Sequence, residues 1–340
     1  GMFTDKEDFI CPPTEIEGKP IKCFCESPFL NSFVQAVDIT SNLVSVAYCT
    51  FHNMVNLKSD NKGGAVYIFI EKSMETYNEP IRIYHSSFTY CQAKYGSAIY
   101  IESYQEKLKF DFLGVYIGEN SYNQVDLVKN DVKGGGIFIA TSYSNFEFRS
   151  CSFDRNNAGD GAAIYYISDT SNSLEVDETI NDEIDHDLYF VDCHFYFNMA
   201  YSNGGGLFIS LIGREHLRPI QLENCIFFQS YANDQDGDST DPDHKPELPE
   251  NGGAIYYSTS YTKLVSSSRD YNFRAINCDF NDGSATFKGA GFFISIEKEE
   301  PSKSFEIDQC TFLRNRLMGD KCYDECESGV NIFFEYNSVY

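Results

Sequence analysis

Gly252-Gly253-Ala254-Ile255-Tyr256-Tyr257 is the stretch that decides the fold, because the chain repeats it. It returns as Gly63-Gly64-Ala65-Val66-Tyr67-Ile68, Gly96-Ser97-Ala98-Ile99-Tyr100-Ile101 and Gly134-Gly135-Gly136-Ile137-Phe138-Ile139. It returns again as Gly161-Ala162-Ala163-Ile164-Tyr165-Tyr166 and Gly204-Gly205-Gly206-Leu207-Phe208-Ile209, with looser copies at Gly289 and Ser328. A repeat every few tens of residues indicates a stacked array of like units. Each copy has a partner upstream. Cys49-Thr50-Phe51, Ser86-Ser87-Phe88, Cys151-Ser152-Phe153, Cys193-His194-Phe195, Cys225-Ile226-Phe227, Cys278-Asp279-Phe280 and Cys310-Thr311-Phe312 carry one pattern, and Gly114-Val115-Tyr116 is a degenerate member.

One unit is therefore a Cys-x-Phe strand, a polar turn, a Gly-Gly corner and an apolar strand. Such a unit cannot bury its apolar face alone, whereas stacked copies bury a continuous core. Strand residues alternate faces, so Cys and Phe point inward and the mostly polar middle residue points out. The glycines suit a corner that needs positive φ and close backbone approach. Helix is excluded by short β-branched and aromatic runs bounded by Gly, Asn and Asp. The expected fold is all-β, a single parallel β-helix of about eight coils, roughly 38 Å long at the usual strand spacing. Residues 1–48 lack the motif and carry Pro12, Pro13, Pro20 and Pro28, so they read as an N-terminal cap. Residues 49–340 read as the coils, with acidic insertions at 169–187 and 231–251 on different corners. Only a short stretch follows Ile332-Phe333-Phe334, so the last coil is expected to be covered by the tail or by continuing chain.

Gly-Gly-Ala-Ile alternating with Phe-x-x-Asn resembles the polymorphic outer membrane protein (Pmp) family, best known from chlamydial adhesins. Cys-rich versions are similar to surface proteins of some parasitic protists. The second half of the signature stands at Phe153-Asp154-Arg155-Asn156, Phe195-Tyr196-Phe197-Asn198 and Phe312-Leu313-Arg314-Asn315. The resemblance covers roughly residues 49 to 334. It implies a right-handed parallel β-helix used in adhesion, at the cell surface or secreted, binding a host or cell-surface protein or glycan. Nothing in the chain resembles the translocating β-barrel of such proteins.

The formal net charge is −25, which argues against nucleic acid, a ligand that requires basic patches, and against anionic lipid. No secretory leader or membrane-spanning run is legible, so direct membrane insertion is not expected. Among 12 cysteines, those of Cys-x-Phe should stack as a buried ladder of mostly free thiols, because parallel Cβ vectors strain a disulfide. Cys11, Cys23, Cys25, Cys322 and Cys326 lie outside the motif and are the disulfide candidates, in an oxidising setting. Their spacing gives no zinc site.

Three surface features offer chemistry. Asp192, His194 and Asp279 read as outward residues of the Cys-x-Phe strands, the fallback site of a polysaccharide hydrolase or lyase; no cation joins them, and a solvated strand face is the preferred account of them. Asp234, Asp236, Asp238 and Asp241 form an acidic loop that could take Ca²⁺, although no residue closes it as an EF-hand would. No other cofactor is indicated. Tyr67, Tyr100, Phe138, Tyr165, Phe208, Tyr256 and Phe293 alternate with aliphatic residues and form an outward aromatic row, either a partner surface or a stripe covered by the chain's own loops. The leading expectation is a non-catalytic binding scaffold; a carbohydrate-active enzyme and a structural module that self-associates are the alternatives.

Overall fold

The computed structural model describes residues 23–26, 34–37, 45–56, 61–70, 80–104, 108–121, 131–142, 144–170, 186–213, 219–232, 251–261, 271–286, 288–297, 304–317 and 331–337. It is a parallel β-helix in which three sheets run along the whole described stack and a fourth joins them from Asn157–Asp160 onward. One rung shows the plan. Asn145–Arg149 lies in sheet IV, Ser152–Asp154 in sheet I, Asn157–Asp160 in sheet II and Ile164–Asp169 in sheet III. Sheets I and III each hold nine strands, sheet IV eight and sheet II five. Every neighbouring pair is parallel, and equivalent residues face each other: Ser152 pairs with His194, Ile164 with Leu207, Phe146 with Leu188.

The stack extends past the boundary read from the sequence. Cys23–Glu26 joins sheet I with Cys23 opposite Cys49 and Cys25 opposite Phe51, and Val34–Val37 joins sheet III with Val34 opposite Val66. Cys23 and Cys25 thus occupy repeat positions rather than a separate cap; Cys11, Cys322 and Cys326 lie outside the described residues.

Interior faces are built by repetition. Sheet I stacks Phe153, Phe195, Phe227, Phe280 and Phe312 ring on ring, with successive centroids 4.9, 4.3, 4.9 and 5.0 Å apart. Sheet IV stacks Phe112, Phe148 and Phe190 at 4.4 and 4.8 Å. Beside the Phe row run the thiols: Cys151, Cys193, Cys225 and Cys278 are buried and Cys310 half-buried, all free. Burial pushes the Cys193 thiol well above its ordinary value.

The asparagine of Phe-x-x-Asn forms a third ladder. Asn198 Oδ1 accepts from the Asn156 backbone N–H at 3.1 Å and from Asn156 Nδ2 at 3.0 Å, while Asn198 Nδ2 donates to the Phe153 carbonyl at 2.9 Å. Asn120, Asn156 and Asn315 make the same bond to a carbonyl of the preceding rung. Cys91 sits in this column, not the cysteine column: its N–H donates to Asn120 Oδ1 at 2.8 Å, and burial pushes its thiol up to about 12.

The corners on either side of sheet I are single residues in the left-handed region whatever their type. Ser150, Asp192, Asn224 and Asn277 have φ between 51° and 54°, and Arg155, Phe197 and Gln229 between 50° and 55°. The ladder holds them there, since each corner N–H reaches the next rung: Ser150 to the Val191 carbonyl at 3.0 Å and Arg155 to that of Tyr196 at 2.9 Å. The third corner requires glycine. Gly252 has φ +67°, and a Cβ on Gly253 would press into the Ala290 carbonyl oxygen of the next rung.

Replacing Asn198 by Ala orphans the buried Asn156 N–H and Phe153 carbonyl. We expect a loss of about 3 kcal/mol in denaturant unfolding, with an unchanged slope. The thiols of Cys49, Cys91, Cys151, Cys193, Cys225 and Cys278 should resist a disulfide reagent in the native chain, Cys310 should react slowly, and all should react in guanidinium; mass spectrometry of labelled peptides reads the pattern.

Candidate functional site

Two outward surfaces carry the described polar and aromatic residues singled out in the sequence, and a third carries charges that were not. On sheet I, His194 pairs with Ile226 and Ile226 with Asp279. The isoleucine therefore stands between His194 and Asp279 on the same outward row. Asp192 is not on the strand but at an exposed left-handed corner, where Asn224 Nδ2 donates to its Oδ1 at 3.2 Å. The ladder, not the residue type, sets that conformation, which is why alternation from Cys193 misplaced it. The three fallback residues are not brought together as an acid, a base and a substrate-facing cation.

Sheet III carries the aromatic row. Tyr67, Tyr100, Phe138, Tyr165, Phe208, Tyr256, Phe293 and Phe333 stack in sequence, with centroids 5.3, 4.8, 5.1, 4.5, 4.8, 5.0 and 5.8 Å apart and planes within 23° of parallel. The row faces outward, yet most of its rings are half-buried and Tyr100 and Phe293 are buried. Each inner ring has both faces covered by its neighbours, so the row shows solvent ring edges and hydroxyls. Charged residues border it. Lys62 Nζ lies 4.7 Å from the Tyr100 centroid and 2.9 Å from Glu102 Oε2; Lys288 Nζ lies 4.6 Å from the Phe333 centroid and 3.0 Å from Glu335 Oε1. Lys133, 5.5 Å from the Tyr165 centroid, pairs with Asp160. Burial would raise the Glu102 carboxyl, but hydrogen bonds from Tyr104, Lys62 and Tyr100 hold it below the usual carboxylate range. Burial, and next to it the Glu102 charge, pushes the Tyr100 hydroxyl up.

Sheet IV holds a charge cluster that the sequence reading missed. Lys109 Nζ lies 2.7 Å from Glu147 Oε2 and 3.2 Å from Asp111 Oδ1, and Arg149 also pairs with Glu147. On the neighbouring rung, Tyr189 donates to Glu223 at 2.8 Å. The signal available was alternation: Lys109-Phe110-Asp111-Phe112 and Glu147-Phe148-Arg149 put charges on one face and Phe on the other. Burial opposes the Glu147 charge, but hydrogen bonds from Lys109 and Arg149 outweigh it and hold the carboxyl below its ordinary range. A carboxylate fixed in its ionised form by two cations is a structural clamp, not a proton donor at neutral pH.

Asp234, Asp236, Asp238 and Asp241 lie outside the described residues. Among the described residues no group of three or more His, Cys, Asp or Glu is arranged to hold a metal, and no helix is long and apolar enough to cross a membrane.

No protein-family model matches the chain, and no solved structure matches it. A metabotropic glutamate receptor-like protein R of Dictyostelium discoideum is 24% identical over 204 residues. That match takes in 57% of this chain and 11% of that protein.

The sheet IV clamp gives a pH prediction. A carboxyl whose folded pKa lies below its unfolded value contributes stability above the unfolded value, about 4.3, and loses it as pH falls through the folded one. Glu147→Gln should therefore destabilise the protein at neutral pH and bring its melting temperature closer to that of the wild type as pH falls below about 4. Thermal melts from pH 3 to 7 test this; a constant gap between the two proteins would refute the clamp.

Proposed function

We propose that the chain is a non-catalytic binding scaffold of the Pmp-like type, working at the cell surface or outside the cell and gripping a protein partner with sheet III and its borders. The observation that carries this reading is where the chain varies in length. Both corners of sheet I are single left-handed residues in rung after rung. Sheet III is different on both borders. On its entry side the chain runs from Asn156 to Gly161 in one rung and from Ser230 to Gly252 two rungs on. On its exit side it runs from Thr141 to Asn145 in one rung and from Asp169 to Leu188 in the next. Variable segments held by an invariant frame are how recognition loops are displayed.

The aromatic row supports a protein partner over a glycan. Sugars bind aromatic residues across the ring face, and these faces are spent on neighbouring rings. Edges, tyrosine hydroxyls and bordering Lys and Glu suit the mixed polar and aromatic character of a protein interface. The partial likeness to a protein described as receptor-like is in keeping with a surface setting. The separation of His194 from Asp279 by Ile226 speaks for binding rather than carbohydrate cleavage.

An array of extracellular protein domains printed beside a glycan array tests the proposal. Saturable binding to a protein feature is expected, weakened at least about tenfold by Tyr165→Ala or by replacing residues 233–250 with a short Gly-Ser linker, with folding retained. Binding confined to glycans, or unchanged in both variants, would overturn it.

A further inference from the structure

The two borders of sheet I are single left-handed residues from rung to rung, so no inserted segment springs from its edges. Its outward face changes chemistry along the stack. Ser152 and Asp154 stand on one rung, and Asp279 and Asn281 stand three rungs on. The two rungs between them carry His194 and Tyr196, then Ile226 and Phe228, all half-buried. Phe197, at the corner beside them, is 40% exposed. These rings meet edge to face rather than in a column: Phe228 lies 5.6 Å from Phe197 at 85° and 6.4 Å from Tyr196 at 73°. An aromatic and aliphatic centre with a polar rim is the anatomy of a protein interface.

The rim identifies the partner. In successive rungs the corner column beside the patch reads Glu119, Arg155, Phe197, Gln229, Asp282 and Arg314. Arg155 pairs with Glu119 at 2.8 Å, and Arg314 with Asp282 at 2.7 Å. Read in reverse, this column is its own complement. A second copy can face sheet I with its stack running the opposite way, about a two-fold axis along the strand direction between the rungs of Phe197 and Gln229. Glu119 then meets Arg314 of the second copy, and Arg155 meets Asp282. Each ion pair sits on the other with its signs reversed, on both sides of the axis. Tyr196 meets Phe228, His194 meets Ile226 and Asp154 meets Asn281, so no like charges are opposed. A copy facing sheet I with its stack running the same way would set Arg155 against Ser150 and Asp282 against Asn277, and the charges would go unmatched.

We propose that sheet I is a homodimer face, on which two copies pack side by side and antiparallel through Tyr196, Phe197, Ile226 and Phe228, locked by the reversed ion pairs. Charge complementarity selects a second copy over an unrelated protein, because the match is built into the order of the column itself. The contact is isologous and closes at two copies. From Glu119 to Arg314 the face spans six rungs. At about 4.8 Å per rung and a width of about 16 Å, it offers roughly 400 Å² per copy. A standard stable interface takes about 800 Å² from each partner, so this dimer belongs to the weak class. Sheet III lies across the core from sheet I, with the Phe280 and Phe292 centroids 4.5 Å apart. The dimer therefore turns its two copies of sheet III to opposite sides.

Sedimentation equilibrium on the full chain, from micromolar to submillimolar concentration, tests this. Salt of about 0.15 M screens beyond about 8 Å the repulsion between two copies of net charge −25. A monomer–dimer equilibrium that stops at two copies is expected. Phe197→Asp, at a corner position that holds many residue types, should weaken it at least about tenfold. Arg155→Glu and Asp282→Arg should each weaken it as much. An equimolar mixture of those two variants should associate at least about tenfold more tightly than either alone, because in the mixed pair every altered charge again meets its opposite. A chain that had merely lost its fold would not be rescued in this way. Tyr165→Ala, on sheet III, should leave the dimer unchanged. Monomers throughout, growth beyond two copies, wild-type association in Phe197→Asp, a mixture no tighter than its components, or loss of the dimer in Tyr165→Ala would each overturn the proposal.

Discussion

Every residue in this fold must tolerate its own counterpart one strand spacing above and below it. The parallel register enforces this, because equivalent residues of successive rungs face each other from Cys23 opposite Cys49 to Phe292 opposite Ile332. Side chains that stack well on their own kind are therefore selected. Flat rings give face-to-face columns, asparagine gives a hydrogen-bond ladder from rung to rung, and thiols pack as small apolar groups. Like charges do not stack well, and the outward charges accordingly meet opposites across rungs: Glu119 with Arg155, Asp282 with Arg314, Arg274 with Glu306. Exposed pairs of this kind contribute little each, but they relieve the repulsion that a strongly acidic chain would concentrate on a narrow rod.

The same constraint explains what could be read in advance. Positions facing the core repeat their chemistry, so Gly-Gly-Ala-Ile and Cys-x-Phe announced the rungs, and the outward direction of the Tyr67–Phe293 row followed from alternation. Positions fixed by the backbone ladder do not repeat their chemistry. The left-handed corners hold Tyr48, Ser150, Arg155 and Phe197 with equal ease, so nothing in residue type placed Asp192 on a corner rather than a strand. Cys91 stands three residues after Phe88, where the repeat has Asn, and it is this spacing rather than its residue type that puts it in the asparagine column. Cys23 and Cys25 were hidden because their rung lacks the glycine corner, although pairing, not glycine, defines membership of a sheet.

The aromatic row shows how stacking limits function as well as stability. A ring that spends both faces on neighbours adds rigidity to a surface that water would otherwise wet, and gives up the face a sugar ring would use. What it retains is an ordered line of edges and hydroxyls with Lys62, Lys133 and Lys288 along its border. That is a rigid, amphipathic surface with low side-chain entropy left to lose, a property that favours association with another protein.

A repeating stack solves its burial problem everywhere except at its ends. Each inner rung is covered on both sides by rungs that match it. A sequence change in one rung therefore acts first on the rungs beside it, as at Phe312, whose ring stacks on Phe280 and lies 5.8 Å from Phe292. Outward and inward residues alternate along the same strands, so the face of sheet III that is proposed to recognise a partner can vary while the stack inside it is kept.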